Sequence, residues 1–288
     1  MSANPLPDQS IDPGKARKPG MSRNQKLLFF LTAWLICLMP FLFWWNTWFG
    51  RKLSDQQLNE YLHDTKKPRH IQQALVQVGE RITRHDATAK QWYPDLVRLA
   101  ADPVEEVRNT DAWVMGQDTT QAGFHEALLK MLQDPSPMVR GNAALSLVRF
   151  GDATGHPQIV ALLQPARITT LEAGRIVDAD RPGTAIHQRG LIAKLQHASG
   201  ITEIRSPIPG RIRSVAETGA NVAPGAEIAV VDPSTEQVWE ALRALYLIGQ
   251  PDDLPAVVPY ERDLPDVSND VRQQAIETEQ AIRSRESR

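Results

Sequence analysis

The heptapeptide DPVEEVR at residues 102–108 recurs 32 residues later as DPSPMVR at residues 134–140. Apolar positions around it keep the same offset, pairing Leu96 with Leu128, Leu99 with Met131 and Ala112 with Ala144. A period of about 20 to 50 residues is typical of stacked helix pairs, because one pair is too small to bury its apolar face alone. The repeat therefore predicts an α-helical solenoid.

The helical pattern starts near Ser54 and is broken once. Ser54, with Gln57 three residues later, has the spacing of a capping box and predicts the first helix start of the solenoid. The pattern stops after residue 165 and resumes where Val238 stands 99 residues after its equivalent, Val139. Removing one period leaves about 67 residues inside one helix hairpin. The predicted segments are helical repeats at 53–165, an insertion at 166–235 and further repeats at 236–284.

The helix pairs resemble HEAT repeats over about 160 residues. In that family an Asp in the turn of one repeat pairs with an Arg at the start of the second helix of a neighbour. The matching positions here are Asp102, Arg108, Asp134, Arg140 and, for the arginine alone, Arg272. Trp239 stands where an Arg is expected, so the resemblance implies a ladder that is interrupted beside the insertion. Solenoids of this kind host many tasks, so the resemblance implies an architecture rather than an activity.

The insertion is rich in Gly, Pro, Ile, Val and Thr, a composition that favours short strands and tight turns. It contains a second echo, at an offset of 36 residues, that pairs Gly174-Arg175-Ile176 with Gly210-Arg211-Ile212, Gly183 with Gly219 and Ile192-Ala193 with Ile228-Ala229. Two similar sets of strands predict a small all-β sandwich with approximate two-fold symmetry.

The insertion also resembles the biotinyl/lipoyl-like barrel-sandwich of carrier domains and of adaptor proteins in bacterial secretion and efflux systems. The resemblance rests on Ser206-Pro207-Ile208-Pro209-Gly210-Arg211-Ile212, Gly219-Ala220-Asn221-Val222 and Pro224-Gly225. Where carrier domains place their modified lysine this chain has Ser199, whose hydroxyl cannot form the amide that holds lipoate or biotin. Lys194 lies five residues too early. The resemblance thus implies an unmodified, adaptor-like domain without a cofactor.

The N-terminal region divides into a basic tail and an apolar run. Residues 1–26 have few large apolar side chains, which predicts a disordered tail. Residues 27–49 carry no charge and would form a helix about 34 Å long, which predicts a transmembrane helix. The length of the run disfavours a cleaved signal peptide, and the bulky residues before Cys37 disfavour a lipoprotein site. Cys37 is interpreted as a small buried apolar side chain.

The basic residues on the two sides of the apolar run favour neither direction of membrane insertion. Five Lys and Arg residues precede the apolar run, and five follow within about 20 residues, the window that sets topology. Trp44, Trp45 and Trp48 cluster at the far end of the run and favour a body on the extracytoplasmic side of the membrane. The predicted location is therefore a single-pass inner-membrane protein with a periplasmic body, and a cytoplasmic body is the alternative.

No catalytic or metal-binding constellation is present in the sequence. The seven histidines include no pair at the i, i+4 spacing of a helical zinc site and are interpreted as surface side chains. Glu105-Glu106 and Asp252-Asp253 fall in the first turns of predicted helices, where negative charge complements the helix dipole. No phosphate loop or nucleophile–base motif is found. The prediction is no enzyme, with no catalytic, cofactor or metal site.

Composition leaves binding as the function class. A net charge of −2 gives no bias towards nucleic acid, and a single cysteine excludes an intrachain disulfide. Candidate anchors for a protein partner are Trp92, Tyr93 and Trp113, although Trp113 is interpreted as core because its repeat counterpart is Leu145. The basic stretch from Lys66 to His70 could contact anionic headgroups or form a solvated surface.

The sequence therefore predicts a mainly α protein: a transmembrane helix followed by a HEAT-like solenoid that an all-β, lipoyl-like sandwich interrupts. The predicted function is a membrane-anchored, non-enzymatic scaffold or adaptor whose partners are the lipid bilayer and other proteins, in a transport or other envelope complex. The alternatives are a carrier of acyl or redox groups, or accessory subunit of a membrane enzyme, and a binding module that faces the cytosol.

Overall fold

The computed structural model describes residues 23–48, 52–262 and 267–287; for Gln25, Cys37 and 40–48 it describes the backbone only. The chain divides after Lys52 into two compact units. Most of the predicted disordered tail, residues 1–22, and the predicted burial of Cys37 lie outside this description. The last four residues of that tail, 23–26, are helical rather than disordered.

The described part of the first unit is one helix, α1 (Arg23–Trp48). The predicted transmembrane helix is wrong, because no helix among the described residues combines the length and the apolar character of a bilayer span. A span needs about 20 consecutive apolar residues. The first helical turn carries Arg23 and Lys26. The predicted single-pass location in an inner membrane is wrong on the same ground.

The second unit contains helices and two β-sheets, so the described chain is mixed in class, with eleven α-helices and eight strands. The helices before the sheets are α2 (Asp55–Leu62), α3 (Pro68–Thr83), α4 (Tyr93–Leu99) after a 3-10 helix (Ala87–Trp92), α5 (Glu105–Met115), α6 (Ala122–Met131), α7 (Pro137–Arg149) and α8 (His156–Leu162). Those after the sheets are α9 (Thr235–Ile248), α10 (Leu254–Val257) between 3-10 turns (Pro251–Asp253 and Val258–Glu261), and α11 (Asn269–Glu286).

The helices on both sides of the sheets share one hydrophobic core. Trp92, Phe124 and Leu147 lie in this core together with Leu242 and Ile282. The capping box predicted for α2 is confirmed. The Ser54 hydroxyl accepts from the backbone N–H of Gln57, and the side-chain oxygen of Gln57 accepts from the backbone N–H of Ser54. The helices from Ser54 onwards, before and after the two sheets, therefore form one stack, as the 32-residue period predicts.

The Asp–Arg ladder is confirmed at one step. The Arg108 guanidinium makes two parallel bonds to Asp134, from Nε to Oδ2 at 2.6 Å and from Nη2 to Oδ1 at 2.9 Å. Both side chains are nearly buried, and the hydrogen bonds from Arg108 hold the pKa of Asp134 below its usual value although burial opposes them. Arg140 donates instead to Gln158, at 3.1 Å. The Asp–Arg pairing therefore ends one repeat before the sheets.

A second ladder joins the first helices of successive repeats. Tyr93 donates to Asp118 at 2.6 Å, and the His125 imidazole lies 2.7 Å from Asp152. The same carboxylates also accept from a threonine two residues later, in the recurring pattern Asp86-x-Thr88, Asp118-x-Thr120 and Asp152-x-Thr154. Asp118 and Asp152 therefore cap their own turns and also bind the first helix of the preceding repeat.

The insertion forms two four-stranded antiparallel sheets. Its strands are β1 (Ala166–Thr169), β2 (Gly174–Ala179), β3 (Ala185–Ile186), β4 (Leu191–His197), β5 (Gly200–Arg205), β6 (Gly210–Val215), β7 (Asn221–Val222) and β8 (Glu227–Pro233). The sheet orders are β1-β8-β6-β3 and β5-β4-β2-β7. Exchanging β1–β4 with β5–β8 converts one order into the other, so the predicted two-fold duplication is confirmed.

The two ends of the sandwich lie side by side. β1 pairs with β8, with Ala166 opposite Val231. Beyond the strands, the Gln237 amide donates to the Leu162 carbonyl at 2.8 Å and the Tyr260 hydroxyl donates to the Leu163 carbonyl at 2.6 Å. The last carbonyls of α8 are therefore capped by residues that follow the insertion, which explains how the stack continues across it.

Tyr260→Phe is expected to lower the free energy of unfolding by about 1 kcal/mol, because the Leu163 carbonyl loses its partner. Burial, helped by the charge of Asp232, raises the pKa of Tyr260 to about 12, so the phenol keeps its proton and donates. Urea denaturation measures the change. Tyr246→Phe, on a more exposed tyrosine of α9, should change nothing, and equal effects in both variants would contradict this role for Tyr260.

Candidate protein-binding groove

A groove runs between the second helices of three repeats, α5, α7 and α9. Its apolar surface comes from Trp113, Leu145 and Leu247, and it encloses about 220 Å³. Trp113 is 42% exposed and Leu247 is 62% exposed, so the groove presents large apolar side chains to solvent. Because α9 follows the insertion in sequence, the groove exists only when the stack closes across the sandwich.

The polar wall of the groove is mainly cationic. Arg149 is exposed, and no carboxylate within the described part of the chain pairs with it. Arg243 lies 4.6 Å above the ring of Trp239 and 3.7 Å from Glu240, its neighbour on α9. The tryptophan that interrupts the Asp–Arg ladder therefore holds an arginine at the edge of the groove by a cation–π contact. The groove can accept an apolar side chain next to a carboxylate.

Of the three predicted aromatic anchors, the structure exposes one. Trp92 is fully buried and donates from its indole to Asn59 at 2.7 Å, and Tyr93 is half-buried against Asp118. The interpretation of Trp113 as core is wrong. Its counterpart Leu145 is only partly buried as well, because both side chains line the groove.

The basic stretch begins in the turn between α2 and α3. Lys66, Lys67 and Arg69 are exposed, as a solvated surface would be. His70 lies 2.9 Å from Asp64 and stacks on Tyr61 with ring centroids 4.1 Å apart. These contacts fix the turn by local packing.

Five histidines lie against carboxylates: His63 with Asp95, His70 with Asp64, His125 with Asp152, His156 with Asp253 and His197 with Glu172. In the described ranges no three or more His, Cys, Asp and Glu side chains are grouped so that they could hold a metal ion. The predictions of no catalytic residue, no metal and no cofactor remain predictions.

The acidic pair at the start of α5 holds the sandwich. The Gln188 amide donates to Glu105 at 2.5 Å, and Arg189 lies 3.1 Å from Glu106. Arg189 adopts a left-handed backbone conformation (φ 61°), which directs the chain between β3 and β4 towards the helix. Met138 of α7 also packs against the sandwich core. The sandwich is therefore docked on the solenoid, a role for Glu105-Glu106 that the sequence did not reveal.

One polar cluster in the sandwich was also missed. The His197 ring contacts Glu172 and Ser199 through Nδ1 and Thr202 through Nε2. Its members come from the β1–β2 turn, the end of β4, the hairpin and β5. No sequence motif joins them, because Glu172 lies 25 residues before His197.

Comparison with known proteins supports the helical repeat. Residues 126–153, from the middle of α6 to just past α7, match the HEAT repeat family. No curated protein matches the chain. One solved structure, described as the "structure and function of a single-chain, multi-domain long-chain acyl-CoA carboxylase", is 15% identical over 48% of this chain and 14% of that one, with a TM-score of 0.24. A likeness this weak carries no argument about function.

Proposed function

We propose that this protein is a non-enzymatic scaffold that binds protein partners through the groove between α5, α7 and α9. The observation that carries this proposal is the exposed indole of Trp113 on a HEAT-like stack, beside Arg149, which has no ionic partner among the described residues. HEAT repeats suggest protein-interaction scaffolds, and aromatic and arginine side chains dominate the energetics of interfaces. The partner that fits best presents an apolar side chain and a carboxylate on one extended or helical segment.

The inserted sandwich is proposed to be an unmodified, lipoyl-like domain that orients the scaffold. Its duplicated strand order and the adjacency of β1 and β8 support that resemblance. Lys194 lies within β4, 3.5 Å from Asp178, and Ser199 occupies the hairpin, so neither offers an amine at the tip. These placements favour the scaffold over a carrier that would hold its acyl or redox group on a lysine.

Site-specific photocrosslinking tests the groove. A photoreactive amino acid at Trp113 is expected to capture a defined partner in cells, whereas the same group at Val97, on the opposite set of helices, is expected to capture none. The two positions are matched, with 42% and 43% of the side chain exposed. Arg149→Glu should reduce capture at position 113 by at least about tenfold, the factor that corresponds to 1.4 kcal/mol.

Two outcomes would contradict the groove. Equal capture at positions 113 and 97 would mean that the contact is unspecific. Undiminished capture in Arg149→Glu would mean that the partner does not present a carboxylate there. Intact mass measurement addresses the alternative, because a lipoyl or biotinyl adduct on the chain would support a carrier.

A further inference from the structure

The His197 cluster sits at the hairpin end of the sandwich, and none of its residues lines the groove. Glu172 Oε2 lies 2.8 Å from His197 Nδ1, and Thr202 Oγ1 lies 2.8 Å from Nε2. Ser199 Oγ lies 2.9 Å from Nδ1. The imidazole itself is 11% exposed, whereas the Glu172 side chain is 56% exposed. The ring is therefore held by partners on both nitrogens while one end of the cluster stays open to solvent.

The partners decide which ring nitrogen carries the proton. An ionised carboxylate can only accept, so the bond to Glu172 requires the proton on Nδ1. Nε2 of the neutral ring then has a free lone pair, and the Thr202 hydroxyl must donate to it. Ser199 shares the protonated nitrogen, so its hydroxyl is not deprotonated by the ring. Of the two hydroxyls, only that of Thr202 faces a base.

We propose that Thr202 is a nucleophilic hydroxyl that accepts an acyl group from small activated esters, with His197 as the general base and Glu172 as the positioning residue. This arrangement of hydroxyl, imidazole and carboxylate is recognised by geometry and roles rather than by sequence order. It goes beyond the proposed scaffold function, because it assigns a covalent acceptor to a part of the chain that the groove does not include.

The step balances without a cofactor. Thr202 Oγ1 forms a bond to the carbonyl carbon of the ester, and the bond from that carbon to the leaving oxygen breaks. The Thr202 proton passes to His197 Nε2 and from there to the leaving alkoxide or phenoxide. The products are an acyl ester on Thr202 and a free alcohol or phenol.

The position of Thr202 limits the donor. Thr202 is exposed on β5, an edge strand of its sheet, so a donor approaches from solvent. Leu171, which directly precedes Glu172, is 91% exposed and offers an apolar surface beside the cluster. Small, unhindered esters with an apolar leaving group therefore fit the site better than large or charged ones.

The test uses the full-length protein and p-nitrophenyl acetate as the probe. Peptide mass spectrometry over time measures the rate of acetylation at each hydroxyl. Thr120 is the internal control: it is exposed and donates to the Asp118 carboxylate at 2.6 Å, and within the described ranges it contacts no imidazole. Thr202 is expected to react at least about 100-fold faster than Thr120, the lower range for general-base catalysis.

Variants separate the roles within the cluster. His197→Gln is expected to reduce the Thr202 rate to that of Thr120. Glu172→Gln should lower the rate, and Glu172→Asp should recover part of it, which a purely structural role would not produce. Hydrogen–deuterium exchange of β4 and β5 identifies any variant that has lost the hairpin.

The wild-type comparison decides the proposal even where a variant does not fold. Equal rates at Thr202 and Thr120 would overturn it. Acetylation at Ser199 in place of Thr202 would overturn it too, as would full reactivity in a folded His197→Gln variant. None of these outcomes bears on the groove, whose test depends on crosslinking at residue 113.

Discussion

Asp111→Ala is expected to raise the free energy of unfolding at pH 7 by about 2 kcal/mol. Asp111 lies in α5 and is fully buried, and neither of its carboxylate oxygens has a hydrogen-bond partner within the described residues. A buried polar group without a partner costs about 1–3 kcal/mol. One repeat later the equivalent position is Ala143, which is buried as well, so alanine fits this place in the stack.

The gain from Asp111→Ala should grow with pH. Burial raises the pKa of Asp111 well above its usual value; the attraction of Arg98 opposes this effect and the charge of Asp102 adds to it. The unfolded chain releases this proton near pH 4, and the folded chain keeps it to a much higher pH. Wild-type stability is therefore greatest below about pH 4 as far as this group is concerned. It falls by about 1.4 kcal/mol per pH unit until the folded pKa is reached.

Urea denaturation between pH 4 and 8 checks both statements. Asp111→Asn is the matched control, because it keeps the volume and the unpaired polar atoms but cannot titrate. It should flatten the pH dependence without giving the full gain of alanine. A wild type that is more stable than Asp111→Ala at every pH would mean that the carboxyl group has a partner after all.

Gly210→Ala is expected to abolish the sandwich or to destabilise it by more than about 4 kcal/mol. A Cβ at Gly210 would lie 1.8 Å from the Asp232 carbonyl oxygen on the paired strand β8, and backbone of a central strand cannot move away. The same reason applies to Gly174, its equivalent in the first half, where a Cβ would lie 2.5 Å from the Gln196 carbonyl oxygen. Close backbone approach thus explains why this glycine occurs in both halves of the echo.

Hydrogen–deuterium exchange measures the sandwich separately from the helices. Fluorescence cannot do so, because the sandwich contains no Trp, Tyr or Phe. Protection should be lost in β6 and β8. Gly123→Ala on α6 is the control, since its Cβ would meet nothing nearer than 3.8 Å and alanine favours a helix by up to about 1 kcal/mol. Unchanged protection of β6 in Gly210→Ala would contradict the predicted clash.

Local periodicity explains what could be predicted from the sequence. Helices repeat because apolar side chains recur at fixed spacing, so the 32-residue echo reveals the stack, and the 36-residue echo reveals the paired strand sets. The Arg108–Asp134 pair could be predicted from the same repeat, because both residues occupy recurring positions. The capping box of α2 is still more local, since it depends on two residues three positions apart.

Features that depend on distant segments were missed or predicted wrongly. Trp113 lines a groove whose other wall is α9, which follows the insertion, and nothing near Trp113 in the sequence indicates that neighbour. Glu172, His197 and Thr202 meet only when the turn and the hairpin fold together. The predicted membrane span relied on the length and the lack of charge of residues 27–49, and the described part of α1 does not bear it out.

The adjacency of β1 and β8 has a mechanical consequence. If the two ends of the solenoid were pulled apart, tension would first load the helix contacts from Leu162 and Leu163 to Gln237 and Tyr260. Once those contacts rupture, the force would enter the sandwich at Ala166 and Pro233, on neighbouring antiparallel strands. Strands loaded from the same end unzip one hydrogen bond at a time instead of resisting in shear, so the sandwich would yield gradually and lengthen the chain under load.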